Sequence, residues 1–408
     1  MATLTSVDTP ARSLGTRPKA WLGVSAAIFA IAWGGNEFTP LLVMYKRDGL
    51  SVATVDLLLF EYVLGIIPAL LIGGPLSDRY GRRRLMRPAP LVAALGSSFL
   101  AFGSDSVPML SLGRVLCGIA LGLAMAVGSS WLKELSQPPF TDVAVSGVGA
   151  RRSAMSLTGG FGIGAGVAGV LAQWAPWPDT FAYLINVALC LLAAIWLYRA
   201  PETVAPQENP GRLLDDLKVP AAAHHRFRTV ALPLCLWLFT CSAAAYAIMP
   251  TLMMPKVHNA PIAFSALITV ITLGCGFAIQ SVARRIDRPG SLRLPVVALT
   301  LVITGMVLAA AASATLTMWL TVLTAIALGM GFGSGLVAGL LEIERMARPD
   351  DLAGLTAVFY AVSYLGFGVP AVMAVCHDAT GVGYPAMFGV LAAACVACLA
   401  IVSRAREA

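Results

Sequence analysis

The sequence predicts an all-α membrane protein whose twelve transmembrane helices divide six and six. Three observations carry this: a composition too apolar for water, twelve apolar runs of spanning length, and basic residues confined to alternate loops. Apolar residues make up 58% of the 408-residue chain and charged residues 12%, with a mean hydropathy of +0.80. A soluble domain carries about 25% charged residues, so this chain lacks the polar material to cover a water-facing surface. Lipid is its main solvent.

A helix needs about 20 mostly apolar residues to cross the hydrocarbon. Such runs fall near 20–44, 53–76, 88–104, 108–131, 154–174, 179–198, 229–253, 260–283, 294–312, 315–340, 353–375 and 383–402, here spans 1 to 12. The first run is too long for a signal-peptide core and is expected to stay as span 1. Glycine and proline inside the runs are tolerated, because neighbouring helices satisfy the freed backbone groups. The expected organisation is a tail (1–19), a six-helix bundle (20–198), a linker (199–228), a second bundle (229–402) and a tail (403–408). The linker carries Pro201, Pro206, Pro210 and Pro220, with a short amphipathic helix expected around Leu213 to Leu217.

Charge placement sets an expected orientation. Of the 28 Lys and Arg, 24 lie in the two tails, the linker and the 2–3, 4–5, 8–9 and 10–11 loops. Only Lys46, Arg47 and Lys256 lie on the opposite side, and Arg114 lies within span 4. Basic residues mark the cytoplasmic side of short loops, so both termini are expected in the cytoplasm. The net charge of +7 is then a topology signal, with no further support for nucleic-acid binding. Seven of the eight cysteines fall in apolar runs and the eighth, Cys376, ends one; no pair has metal-ligand spacing with histidines nearby. They read as small hydrophobes, and neither a metal nor a cofactor is expected.

The halves echo each other. Asp78 to Arg84 and Asp287 to Arg293 both read D-R-x-G-x-x-R, and their offset of 209 equals that between the starts of spans 1 and 7. Gly160-Phe161-Gly162 in span 5 is matched by Gly366-Phe367-Gly368 in span 11. Together these support internal duplication, which is how rocking two-half carriers are built.

The stretch Gly74-Pro75-Leu76-Ser77-Asp78-Arg79-Tyr80-Gly81-Arg82-Arg83 resembles the G-x-L-A-D-R-x-G-R-K signature of the major facilitator superfamily, in its usual place between spans 2 and 3. The resemblance implies two bundles around a central cavity that faces alternately in and out. It also implies a conformational gate built from Gly74, Asp78, Arg79, Gly81, Arg82 and Arg83. There Gly74 is expected to let helices approach closely and Asp78 to accept from the amino end of a neighbouring helix. The plainer reading is that these arginines only set orientation. Arg114-Val115-Leu116-Cys117-Gly118 resembles the R-x-x-x-G pattern of proton-coupled members. Gly160 to Gly169 resembles the antiporter motif G-x-x-x-G-P-x-x-G-G, with Ala165 in place of the proline and Ala168 in place of a glycine.

An ionisable side chain inside a span costs roughly 2.5–3.5 kcal/mol at the helix centre and is a functional candidate by default. Glu37 (span 1), Glu61 (span 2) and Arg114 (span 4) all fall at or just outside the midplane at a rise of ~1.5 Å per residue. Burial favours a protonated carboxyl and a guanidinium favours the ionised one. A coupling site in which Glu37 or Glu61 carries the proton and Arg114 tunes it therefore follows; a fixed ion pair between helices is the bland alternative. Asp56 is expected near the outer end of span 2, wet and beside Lys46 and Arg47. Glu342 and Glu344 are expected to be solvated at the end of span 10.

Trp33, Asn36 and Phe38 flank Glu37, and Trp237, Tyr246, Tyr360 and Tyr364 add aromatics from spans 7 and 11. Each aromatic reads equally as packing. An aromatic cavity with few polar anchors suits an amphipathic neutral or cationic solute. Within the superfamily the pattern resembles the twelve-helix drug:proton antiporters of bacteria, which implies efflux across the inner membrane by a monomer using a small-molecule solute and protons. A proton-coupled carrier of a sugar-like or amino-acid-like metabolite, exporting or importing, is the alternative. An enzyme or a sensor has no support: no nucleophile–base pair lies at membrane depth, and His224, His225, His258 and His377 lie in or beside loops.

Overall fold

The computed structural model describes residues 19–141, 147–207, 212, 213, 217, 219–288, 290–348 and 351–405. The short helix expected around Leu213 to Leu217 lies largely outside these residues. Among the described residues eleven helices are long and apolar enough to cross a membrane: α1 (Trp21–Arg47), α2 (Val52–Tyr80), α3 (Arg82–Phe102), α4 (Val107–Glu134) and α5 (Val148–Trp174), then α7 (Phe227–Lys256), α8 (Pro261–Ile286), α9 (Arg293–Thr315), α10 (Met318–Met346), α11 (Leu352–Thr380) and α12 (Tyr384–Arg404). Between them α6 (Phe181–Leu197) has 17 residues, about 25 Å at ~1.5 Å per residue, short but enough with flanking residues.

Close approach between helices rests on small residues, since lipid supplies no hydrophobic drive for helix association. Gly34 lies against Asn186, whose Oδ1 would sit 2.5 Å from a Cβ at position 34, which joins α1 to α6. Gly118 lies on the backbone of α2, with Tyr62 O 2.1 Å from where its Cβ would be. One buried cluster gathers α1 to α6 and reaches across to α7, α8, α10 and α11 at Tyr246, Ile268, Ala325 and Tyr364, and two others lie within α7 to α12. Leu64, Leu191, Ile195, Val372 and Val390 face outward, as lipid-facing residues must. Aromatic residues mark both rims, with Trp174 and Trp177 at one and Trp196 and Tyr198 at the other. The helices are interrupted by five-residue π turns at Ala124–Gly128 in α4 and Ala244–Ile248 in α7, and by a 3₁₀ turn at Leu365–Gly368 in α11.

Candidate functional site

Glu37 is fully buried, and it points into the first bundle. Its Oε1 lies 3.2 Å from Ser97 Oγ of α3, and its Oε2 has no hydrogen-bond partner. Ser97 Oγ also lies 2.8 Å from Asn186 Oδ1 of α6, while Asn186 Nδ2 donates to Ala30 O at 2.8 Å. Glu37 is also faced by Arg114 and Cys117 from α4, by Tyr183 and Cys190 from α6, and by the indole of Trp33 one turn back on its own helix, where Tyr45 also lies within electrostatic reach. Among these Arg114 is the one guanidinium.

Arg114 is equally buried. Its Nε donates to Leu58 O at 3.2 Å, and its guanidinium carbon sits 4.2 Å from the centre of the Tyr62 ring and 4.5 Å from that of Phe38. Gly118, one turn along, makes this seat possible by letting α4 lie on α2. Among the described residues no carboxylate oxygen lies within 4.0 Å of an Arg114 nitrogen, and Nη1 has no hydrogen-bond partner. Arg114 is thus held by ring faces and one carbonyl, near Glu37 but not bonded to it.

Glu61 stands apart. It shares a helix face with Leu57, Leu64 and Pro68, all exposed, and is itself half-buried. The three charges expected to converge are therefore two.

The cavity candidates also divide. Asn36 Nδ2 donates to Phe161 O at 3.2 Å and its Oδ1 accepts from Thr39, so it ties α1 to α5. Trp33 packs on Gly164 and beside Phe29. Phe38 lies inside the first bundle under Arg114, and Trp237 in the core of the second. Tyr246 and Tyr364 both lie beside Phe367, between the halves. Tyr364 stacks on Phe239 with centroids 4.1 Å apart, Phe239 stacks on Phe367 at 5.0 Å, and Tyr364 Oη donates to Met125 Sδ across the interface at 3.1 Å. Tyr360 is half-buried beside Phe359. Phe239, Met125 and Tyr62 were not singled out by sequence, and Phe367 only within the repeated Gly-Phe-Gly.

The arginine-rich end carries matched charge clusters. In the first half Arg82 pairs with Asp78 at 2.5 Å and with Glu134 at 2.8 Å. In the second, Arg345 pairs with Asp287 at 2.5 Å and with Glu342 at 2.6 Å, and Glu342 also takes Arg226 at 2.5 Å. Two expectations are corrected here. Glu342 is fully buried instead of solvated, because two guanidinium groups close over it, while Glu344 is exposed. Among the described residues Asp78 accepts from no helix amide, and the amides of Arg82 and Arg83 go to the Glu202 carboxylate of the linker, at 2.9 and 3.0 Å. Gly81, with φ of +92°, makes the turn between α2 and α3. A Cβ at Gly74 would meet nothing within 4 Å; the close contact of α2 is at Gly65. Arg79 is buried and its carbonyl accepts from Gln207 N at 2.9 Å, while Arg83 Nε has no partner among the described residues.

At the opposite end Asp56 is buried, not wet. It pairs with Lys46 at 2.6 Å, whereas Arg47 turns to Asp48.

Residues 22–371 match the family profile of the Major Facilitator Superfamily. The chain belongs to that family. It is 26% identical to the chloramphenicol resistance protein of Pseudomonas aeruginosa over 289 residues, 68% of this chain and 64% of that one. It is 33% identical to mouse solute carrier family 2, facilitated glucose transporter member 10, over 172 residues, 41% of this chain and 31% of that one. The chain thus spans about a third to two thirds of the length of these relatives. The solved D-xylose-proton symporter has the same fold, with a TM-score of 0.71 at 15% identity over 95% of this chain and 97% of that one.

Proposed function

We propose that this transporter is a proton-coupled exporter of amphipathic neutral or cationic small molecules, working by alternating access in a bacterial cytoplasmic membrane. Its arginine-rich end and both termini lie inside. Glu37 carries the proton and Arg114 tunes it.

The observation that supports Glu37 is a count of hydrogens. Ser97 has one hydroxyl hydrogen and two oxygen acceptors, Glu37 Oε1 and Asn186 Oδ1, the second of which also accepts from Cys190 Sγ at 3.5 Å. The amide orientation of Asn186 is set by its bond to Ala30 O, so its Oδ1 must receive. The row closes when Glu37 is protonated: its O–H donates to Ser97, and Ser97 donates to Asn186. An ionised Glu37 takes the Ser97 hydrogen, leaves Asn186 Oδ1 with the weaker Cys190 S–H alone, and is drawn to Arg114, whose Nη1 is unpartnered. Two arrangements of one carboxyl, each with its own protonation state, are what coupling requires. Charge on the arginine-rich loops supports the sidedness. The aromatic stack of Phe239, Tyr364 and Phe367, without a cationic anchor beside it, supports the solute class.

Proteoliposomes with an imposed pH gradient test this. Glu37→Gln keeps the shape and fixes the neutral state, so it abolishes gradient-driven accumulation while downhill exchange continues. Full gradient-driven transport by this variant would remove Glu37 from the role. The match to a facilitated glucose transporter favours a second reading, a metabolite carrier; cells in which the protein confers no resistance but supports uptake of one nutrient would select it.

A further inference from the structure

Tyr62 lies between the Arg114 seat and the interface of the two halves. Its ring is one of the two faces that hold the guanidinium, at 4.2 Å. Its hydroxyl points the other way, beside Gly35 of α1, where a Cβ would lie 2.2 Å from Tyr62 Oη and 3.4 Å from Phe161 of α5. The residue is 3% exposed, yet Oη has no hydrogen-bond partner among the described residues. A buried hydroxyl is ordinarily bonded. Tyr246 and Tyr364 of the second half are within electrostatic reach of it, so this unpartnered hydroxyl lies near the aromatic stack where the halves meet.

We infer that Tyr62 is the positioning residue through which a solute between the halves acts on Arg114. A solute whose oxygen accepts from Tyr62 Oη, and whose apolar body lies on Tyr364 and Phe239, turns the Tyr62 ring and weakens one of the two faces holding the guanidinium. Arg114 then moves towards Glu37, the ionised carboxylate is favoured, and a proton leaves. No bond to the solute is made or broken; the proton goes from the Glu37 carboxyl to water. Solute and proton exclude one another without sharing a binding site. The solute class narrows to amphipathic molecules bearing a carbonyl, amide or ether oxygen. A face-on cation–ring contact is worth enough to change proton affinity roughly two- to thirtyfold.

The inference rests on Glu37 as the proton carrier, and the test separates the two. Purified transporter in detergent is titrated with chloramphenicol, which has an amide oxygen, and with tetraphenylphosphonium, which has no acceptor; a pH indicator reports protons released. Tyr62→Phe keeps the ring and its contact with Arg114 and removes the hydroxyl. The expected result is that chloramphenicol releases at least about threefold fewer protons per bound molecule from Tyr62→Phe than from wild type, whereas tetraphenylphosphonium distinguishes them little. Tyr62→Leu removes the ring as well and shifts the pH dependence of proton binding without any solute, which Tyr62→Phe does not. Equal release from wild type and Tyr62→Phe with chloramphenicol overturns this inference alone. Binding of both compounds to wild type without proton release overturns the proton-coupled reading, and this one with it.

Discussion

Lys46 Nζ lies 2.6 Å from Asp56 Oδ1, with both side chains 3% exposed, and the same ammonium donates to Thr251 Oγ1 of the other half at 3.0 Å. A buried ion pair is thus part of the seal between the bundles at the end away from the arginine loops. Gln173 Oε1 completes it by accepting from the first amides of α8, Ile262 N at 3.0 Å and Ala263 N at 3.3 Å.

That pair has a sign that can be measured. Removing one partner leaves an unpaired buried charge, at a cost of ~3–5 kcal/mol, whereas replacing both with apolar groups is often neutral or stabilising by about 1–4 kcal/mol. Opening this end hydrates the charge. Lys46→Met or Asp56→Leu alone therefore shifts the population towards opening there, and the double variant shifts it back towards closure. Spin-label distances between Asp105→Cys and His258→Cys, in a Cys376→Ser background, report it. A double variant as open as either single one would mean that the pair is only a strap.

Gly118→Ala is expected to be severe. The new methyl would meet Tyr62 O at 2.1 Å, and separating α4 from α2 costs about 1–3 kcal/mol as overpacking and unseats Arg114. Gly74→Ala meets nothing within 4 Å and gains up to ~1 kcal/mol of helix propensity. Thermal unfolding in detergent should move in opposite directions for the two.

Glu202→Ala deprives the amides of Arg82 and Arg83, and those of Thr203 and Val204 in its own linker, of an acceptor. The loss resembles that of a charged helix cap, roughly 1–2 kcal/mol. Asp78→Asn, at a side chain 55% exposed, should cost well under that. A melting temperature lower for Asp78→Asn than for Glu202→Ala would contradict the assignment of the cap.

Glu342→Gln breaks a fully buried node between Arg226 and Arg345. It should destabilise the second half by ~3 kcal/mol or more, whereas Glu344→Gln should change stability by less than ~0.5 kcal/mol. Urea or heat unfolding of the two variants makes the comparison.

The fold was legible because lipid leaves few choices. A backbone in hydrocarbon must bond itself, so twelve apolar runs can only be helices. Glu37 and Arg114 were legible as charges where charge is costly. Direction was not: Glu37 and Glu61 look alike in a linear reading, and only the neighbours of α1 and α2 show one turned into a bundle and the other sharing a face with Leu57 and Leu64. Asp56 and Glu342 misled for a related reason. Both lie near helix ends, where water is the default, and partners brought by other helices enclose them. Ser97 and Asn186 left a weak signal as polar residues inside apolar runs. Glu202 left none, since nothing in a proline-rich linker announces that it folds back onto the loop between α2 and α3.

The two halves share the ion clusters at their ends but not their interiors. The second has no mid-span charge to match Glu37 and Arg114 among its described residues. The repeated motifs fit a duplicated half, with the costly buried charges Glu37 and Arg114 in one copy. The wall formed by α7, α10 and α11 can then be rewritten for new cargo, residue by residue, without touching them.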